Sequence, residues 1–299
     1  MNRLYLKSKI ESIISPYLSK NIKKQIKESF LYRIYERSSW NWRYPFFVLG
    51  WQLANYLTKP RNVSVDGIKF TIPCENWITH FRWYDFKIKE IEVRNFIREM
   101  ISDEDIFFDI GANIGVFSVN AAKIHPKLKI FSFEPEYANL NLLKKNVISN
   151  KIDHQINIIS VGLSDKVGFS KLYLSSVEGG AAVHTESRKD IDTTDEGYKV
   201  VWEEGIMTAT LDNYCKNLKV IPNCIKIDTD GNELKILNGG LSTLKNPKLR
   251  SLIIEMPHHN AKQNESCEKI LKNSGFFLYW SNKRKTKNEV WTKKNIETL

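Results

Sequence analysis

Three short stretches carry the side chains that could do chemistry. In "FFDIGANIGVFS" (residues 107–118) an acid, Asp109, comes just before Gly111, Asn113 and Gly115. In "FSFEP", Glu134 stands 19 residues after Gly115. In "CIKIDTDGNE", Asp228 and Asp230 bracket Thr229 and lead into Gly231. A strand, a glycine-rich turn and a helix make a nucleotide cradle. Glycine lets the backbone come close, and a helix start offers unused N–H groups. An acid at the tip of the next strand, where Glu134 falls, can accept hydrogen bonds from ribose hydroxyls.

The choice of nucleotide follows from what the turn lacks. A dinucleotide fingerprint needs three glycines, G-x-G-x-x-G, to admit a pyrophosphate. Here Asn113 takes the middle place and Val116-Phe117-Ser118 follow Gly115. That bulk suits a ligand without phosphate that carries positive charge. S-adenosylmethionine is one, with a sulfonium and an amino-acid tail, and Asp109 is expected to help hold the ammonium of that tail.

The motifs need elements to hold them. From Ile106 onward apolar strand-like runs alternate with helical ones: "IFFDIG", "VFSVNAAKIHP", "LKIFSFEP", "EYANLNLLKKNVISN", "INIISVGLS", "CIKIDTDG", "NELKILNGGLSTL" and "RSLIIEMP". Such alternation means a parallel sheet covered by helices on both faces. "FSKLYLS" reads as an extra strand and "FFLYWS" as a last one. "VSVDGIKFTIP" reads as a hairpin turning at Asp66-Gly67, and "DFKIKEIEVRNFIREMI" as a helix. The polar loop from about 175 to 200 has the length of a lid.

Residues 1–60 are a helical, basic and aromatic N-terminal extension, set apart from a domain over 61–299 whose core is 106–277. The chain's net charge of +11 is concentrated at its ends. Residues 1–61 hold 12 Lys/Arg against 3 Asp/Glu. Such an extension fits a cap on the main domain, a homo-oligomer contact or the surface of an anionic membrane, with packing preferred because an apolar stripe is mostly core. No secretory leader pattern stands out, so a cytoplasmic protein is expected, with peripheral contact on the inner membrane face as the reading for residues 1–60. The four cysteines have no C-x-x-C spacing and read as free thiols in a reducing compartment.

Taken together, "FFDIGANIGVFS", "FSFEP", "VGLSD", "TLDNYC", "IKIDTDGNELKILNGG" and "LIIEM" resemble the FkbM family of S-adenosylmethionine-dependent methyltransferases, from about Ile106 to Phe277. The resemblance implies an α/β, Rossmann-like class I methyltransferase fold: a mostly parallel seven-stranded sheet with helices on both faces. It implies that Asp109, Gly111, Asn113 and Gly115 hold the methionine part of the cofactor and Glu134 its ribose. Leu163, Ser164 and Asp165 would lie near the adenine. It also implies O-methylation of a hydroxyl on a sugar, a glycan or a natural product. The family usually has Asp-x-Glu-Gly where this chain has Asp228-Thr229-Asp230-Gly231, so Asp230 keeps the charge with a shorter reach.

For the transfer itself a carboxylate base is expected, Asp228 ahead of Asp230, with His184 of the long loop as another candidate. Two acids two apart on a strand would share a face. Helix capping is the competing role for this pair. Glu255 and His258, at the end of the following strand, are candidates for touching substrate. "DTDGNE" lacks the calcium-loop series, and although Asp228, Asp230 and Glu255 could share Mg²⁺, no metal is assigned. Two rival readings use the basic ends differently: an RNA-directed methyltransferase, or a membrane-docked binding protein without catalysis. No nucleic-acid partner is expected, because "IDTDGN" stands where DNA amino-methylating enzymes carry an Asn/Asp-Pro-Pro-aromatic motif.

Overall fold

The computed structural model describes residues 44–186, 199–256, 261–281 and 287–293. The chain divides into two compact units, Met1–Lys59 and Pro60–Leu299. In the first, the described part is helix α1 (Tyr44–Leu57), which contains no charged residue.

The second unit opens with the hairpin β1 (Arg61–Val65) and β2 (Ile68–Ile72), turned at Asp66 and Gly67, both with positive φ. Helices α2 (Trp77–Asp85) and α3 (Ile91–Met100) follow. Then come β3 (Ile106–Ile110), α4 (Val116–Ile124), β4 (Lys129–Phe133), α5 (Tyr137–Asn150) and β5 (Ile156–Ile159). A side sheet is formed by β6 (Gly162–Leu163), β7 (Gly168–Leu174), β8 (His184–Thr185) and β9 (Trp202–Ala209), in the order β6-β9-β7-β8. The chain finishes with α6 (Leu211–Leu218), β10 (Cys224–Ile227), α7 (Glu233–Asn238), α8 (Leu241–Lys245), β11 (Ser251–Glu255), α9 (Ala261–Asn273), β12 (Phe277–Ser281) and β13 (Asn288–Thr292).

The main sheet has seven strands in the order β12-β13-β11-β10-β3-β4-β5. Its β11-β10-β3-β4-β5 run is parallel, and β13 is antiparallel to both neighbours. This is the Rossmann-like class I methyltransferase arrangement, with the strand order reversing between β3 and β10. In such sheets ligands bind at the carboxyl ends of the strands flanking that reversal. Alternate residues feed opposite cores. Phe107, Cys224 and Ile253 join α3, α4 and α5 on one face, while Phe108, Ile225 and Ile254 join α6, α7 and α9 on the other.

Several elements depart from the expected bounds, each for a local reason. The helix expected from Asp85 begins only at Ile91. Buried Arg94 donates to the carbonyls of Phe86, Lys87 and Lys89, which fixes that segment as a turn ending at Glu90 with φ 51°. The run "INIISVGLS" is split between β5 and β6, which lie in different sheets. "NELKILNGGLSTL" is two helices. They break at Gly239-Gly240, and the Asp212 carboxylate accepts the Ser242 and Thr243 N–H groups at the second start. The long loop carries strand β8, with residues 187–198 outside the described part. All four cysteines are free and buried.

Candidate active site

The loop after β3 crosses the end of the sheet in three left-handed steps, at Gly111 (φ 74°), Asn113 (φ 51°) and Gly115 (φ 76°). The two glycines are required by the protein's own packing. A Cβ on Gly111 would stand 1.8 Å from the Asp228 carbonyl oxygen, and one on Gly115 would stand 2.1 Å from Leu143 Cδ1. Asn113 tolerates its conformation because its side chain bridges locally: Oδ1 accepts the Ile114 N–H, and Nδ2 donates to the Ala181 carbonyl.

Glu134, just past β4, is buried beside this loop. Its two oxygens accept the N–H groups of Asn113 at 2.7 Å and Glu136 at 3.0 Å. Loss of water outweighs these bonds and pushes its carboxyl up to about 7. A cavity of about 210 Å³ opens here. Its walls near the loop are Gly111, Asn113, Phe133, Glu134 and the Val161–Leu163 segment. At the other end stand Arg82, Glu90, His184, Asp228, Asp230 and Glu255.

Among the expected residues, Gly111, Asn113, Glu134, His184, Asp228, Asp230 and Glu255 all line this one cavity. Asp109 does not. Its carboxylate is fully buried beneath the loop, where it accepts from Ser118 Oγ at 2.6 Å and pairs with Lys226 Nζ at 3.2 Å. It is placed to hold the loop rather than to meet a ligand's ammonium. Gly115 lies at the start of α4 against Leu143 and is likewise outside the lining. Ser164 and Asp165 are also outside the cavity's lining, whereas Leu163 beside them is within it. Ser164 Oγ is turned to Glu186 at 2.9 Å, and Asp165 is exposed. His258 lies outside the described residues.

Strand β10 ends at Ile227, so Asp228 and Asp230 do not alternate on a strand as expected. Asp230 has φ 53°, and its Oδ2 accepts the N–H of Val183, itself at φ 62°. Glu233 ties the turn, accepting from the Thr229 N–H and hydroxyl and from the Gly231 N–H. Both aspartates face the cavity despite the lost alternation. Burial, then the charge of Asp228, pushes Asp230 up to about 6, and burial pushes Glu233 up to about 7. Glu255 is raised by the same burial and by Asp228 and Asp230. Glu90 keeps solvent access as a residue, yet desolvation of its carboxyl at the cleft and the charge of Asp228 raise it as well. His184 is driven the other way, down to about 4, by burial. Neither of its ring nitrogens has a hydrogen-bond partner among the described residues. No group of three or more His, Cys, Asp or Glu among the described residues is arranged to hold a metal ion.

Lys226 was not singled out in the sequence. It sits inside β10, 3% exposed, between Asp109 (3.2 Å) and Asp228 (3.4 Å), and donates to the Gly111 carbonyl at 3.3 Å. Burial works against its charge, but Asp109, Asp228 and Glu90 together raise its pKa. A visible signal existed: a charged residue in a strand buried on both faces must find a partner. Arg82 and Glu90 were missed because they arrive from outside the alternating core.

A family model described as the methyltransferase FkbM domain matches residues 109–278, from the buried acid under the loop to β12. The chain belongs to the FkbM methyltransferase family. Methyltransferase sdnD of Sordaria araneosa is 26% identical over 184 residues, covering 52% of this chain and 71% of its own. Hexuronic acid methyltransferase AglP of Haloferax volcanii is 27% identical over 185 residues, covering 61% and 68%. Among solved structures, the methyltransferase FkbM of Methylobacillus flagellatus matches at 16% identity with a TM-score of 0.44, covering 64% of this chain and 44% of that one. In this FkbM methyltransferase the Asp230 turn, with its shorter carboxylate, is closed by the hydrogen bond to Val183.

Proposed function

We propose that this protein transfers a methyl group from S-adenosylmethionine to a hydroxyl of a sugar or related natural product. The observation that carries the reading is the charge of the cavity. Six carboxylates line it (Glu90, Glu134, Glu186, Asp228, Asp230 and Glu255), against the single guanidinium of Arg82. Burial and mutual repulsion raise Glu90, Glu134, Asp230 and Glu255, and a cation beside them favours their charged form, so such a wall favours a cation and disfavours a phosphorylated dinucleotide. The residues fit the cofactor: Glu134 has carboxylate oxygens for the ribose, Phe133, Val161 and Leu163 offer an apolar wall for a base, and the Gly111–Asn113 backbone leaves room for the tail. When bound, the cofactor supplies an electrophilic methyl on its sulfonium.

The chain's own part is to bring the hydroxyl into line and take its proton. Asp228 is the base in this reading, held by the Lys226 ammonium beneath it. The neutral His184 ring, with both nitrogens unpartnered, is available to orient the acceptor. Positioning supplies up to ~7–11 kcal/mol of the barrier, and a base ~10²–10⁴-fold in rate. A hexuronic acid, named for the Haloferax relative, is the first acceptor to assay, and Arg82 is the group that would meet its carboxylate.

Calorimetry with S-adenosylmethionine and a methyl-transfer assay on sugar acceptors test this reading. Glu134→Ala is expected to weaken cofactor binding by tenfold or more. Asp228→Asn is expected to leave binding intact and lower turnover by about 10²–10⁴-fold. Absence of cofactor binding, or the opposite pattern in the two variants, would overturn it.

A further inference from the structure

Helix α1 does not have the pattern of a surface helix. Its 14 residues, YPFFVLGWQLANYL, include no acid and no base. Leu49, Leu53, Tyr56 and Leu57 are 65%, 60%, 66% and 57% exposed. Successive residues are 100° apart on a helix, so Leu49, Leu53, Tyr56 and Leu57 share one face about 100° wide, while Trp51, 51% exposed, stands on the opposite side. Gln52 and Asn55 are the only amide side chains. A helix that is apolar nearly all round belongs in a protein core or in lipid.

Two further facts select the occupant. Charge is the first: residues 1–61 carry 12 Lys/Arg and 3 Asp/Glu, and no acid occurs from 37 to 65. Arg43 stands just before the helix, and Lys59 and Arg61 just after it. Trp40 and Trp42 precede it in the sequence and Tyr44 is its first residue. Basic residues at the ends and aromatic rings near them suit the headgroup level of a bilayer. Length is the second. In the sequence the uncharged run 44–58 is closed by Arg43 and Lys59, and 15 residues as helix rise about 23 Å, short of the ~30 Å hydrocarbon core. No helix among the described residues is long and apolar enough to cross a membrane. A helix this short and this apolar lies in the interface.

We infer that α1 is an interfacial anchor that docks the protein on an anionic lipid surface. Its apolar side chains enter the acyl boundary, and the flanking arginines and lysines meet the lipid phosphates. Stable attachment needs two signals, apolar insertion and a basic patch, and this segment supplies both. The inference is independent of the proposed methyl transfer, because it rests only on the composition of α1 and the charges and rings around it in the sequence.

The test is sedimentation of the full chain with vesicles of phosphatidylcholine, with and without phosphatidylglycerol, alongside light scattering for oligomeric state. The protein should bind the anionic vesicles and bind neutral ones weakly, with affinity falling as salt rises. Leu49→Asp with Leu53→Asp should reduce vesicle binding at least tenfold while S-adenosylmethionine binding, measured on the same sample, stays as in the parent. If the parent binds no cofactor, the unchanged circular dichroism spectrum serves as the control, so failure of the catalytic reading leaves this test intact. Arg43→Gln with Lys59→Gln should cost about fivefold per charge on anionic vesicles only. Absence of vesicle binding, or vesicle binding unaltered by the two aspartates, would overturn the inference. So would a dimer that the aspartates dissociate and that never binds vesicles, which would make a second copy the occupant.

Discussion

The loop after β3 and the loop after β10 reach the same cavity but are held in different ways. At the first, backbone does the work. Gly111 and Ala112 donate to the Phe133 carbonyl, Glu134 accepts two N–H groups, and the Asn146 amide donates to the Ile114 carbonyl. At the second, carboxyl groups crowd together. The charge of Asp228 raises Asp230, and Asp228, Asp230 and Glu233 together raise Glu255, while Val183 and Asp230 both sit at positive φ. The first end is fixed by hydrogen bonds of its own. The second gathers raised carboxyls around a histidine whose ring nitrogens have no partner among the described residues, the kind of crowding that marks functional sites.

Lys226 is the tie between the two ends, and removing it is the most severe way to break the contrast. Lys226→Met leaves Asp109 buried without its counter-ion, which costs about 3–5 kcal/mol. Urea unfolding should show that loss, and Asp109→Asn in the same chain should recover most of it. A single variant as stable as the parent would mean the pair is not what joins the loops. Gly111→Ala comes next. It forces a side chain into a left-handed position and against the Asp228 carbonyl, for about 2–5 kcal/mol. A much smaller cost would show that the two loops part easily.

How far the sequence revealed this contrast depended on distance along the chain. The first end was legible because its parts lie within one βαβ unit: the glycines, Glu134 and the apolar strands all follow local rules. Even there, the role of Asp109 was misplaced, since only the fold shows Lys226 and Ser118 beneath the loop. The second end is assembled from remote segments. Arg82 and Glu90 come from before the sheet, and His184 from the long loop. Strands β9 and β13 and helices α2, α6 and α9 also escaped notice. β13 has Asn288 and Glu289 in its five residues and joins the sheet only through antiparallel pairing with β11 and β12.

The ends should also separate by pH. In the proposed cofactor site the ionised form of Glu134 is the better acceptor for ribose hydroxyls, and burial raises its carboxyl to about 7 in the free protein. Protonation therefore competes with binding on the acid side. Cofactor affinity should be level above pH ~8 and fall toward a limit of about tenfold per pH unit below 7. Turnover at saturating cofactor should instead follow the acceptor end, where Asp230 is held at about 6. Calorimetry across pH checks the first and a pH–rate profile the second. A flat affinity profile would remove Glu134 from the cofactor site.

The smallest expected effect tests where the first end stops. Family resemblance put Leu163, Ser164 and Asp165 beside the adenine; Leu163 lines the cavity with Val161 and Gly162, and Ser164 and Asp165 are not in its lining. Gly162 is confined there, since a Cβ on it would come within 2.9 Å of Ile206 Cδ1. Ser164 Oγ donates to Glu186, a residue of the cavity wall that Lys235 also grips at 2.8 Å. Asp165 is exposed beyond it, with Ser164 Oγ 3.4 Å away. Asp165→Ala should therefore change stability by no more than about 0.5 kcal/mol and leave cofactor affinity within the error of the titration. A tenfold loss of affinity would place the adenine past Leu163, over the start of the β6–β7 turn, and would move the boundary of the binding end by two residues.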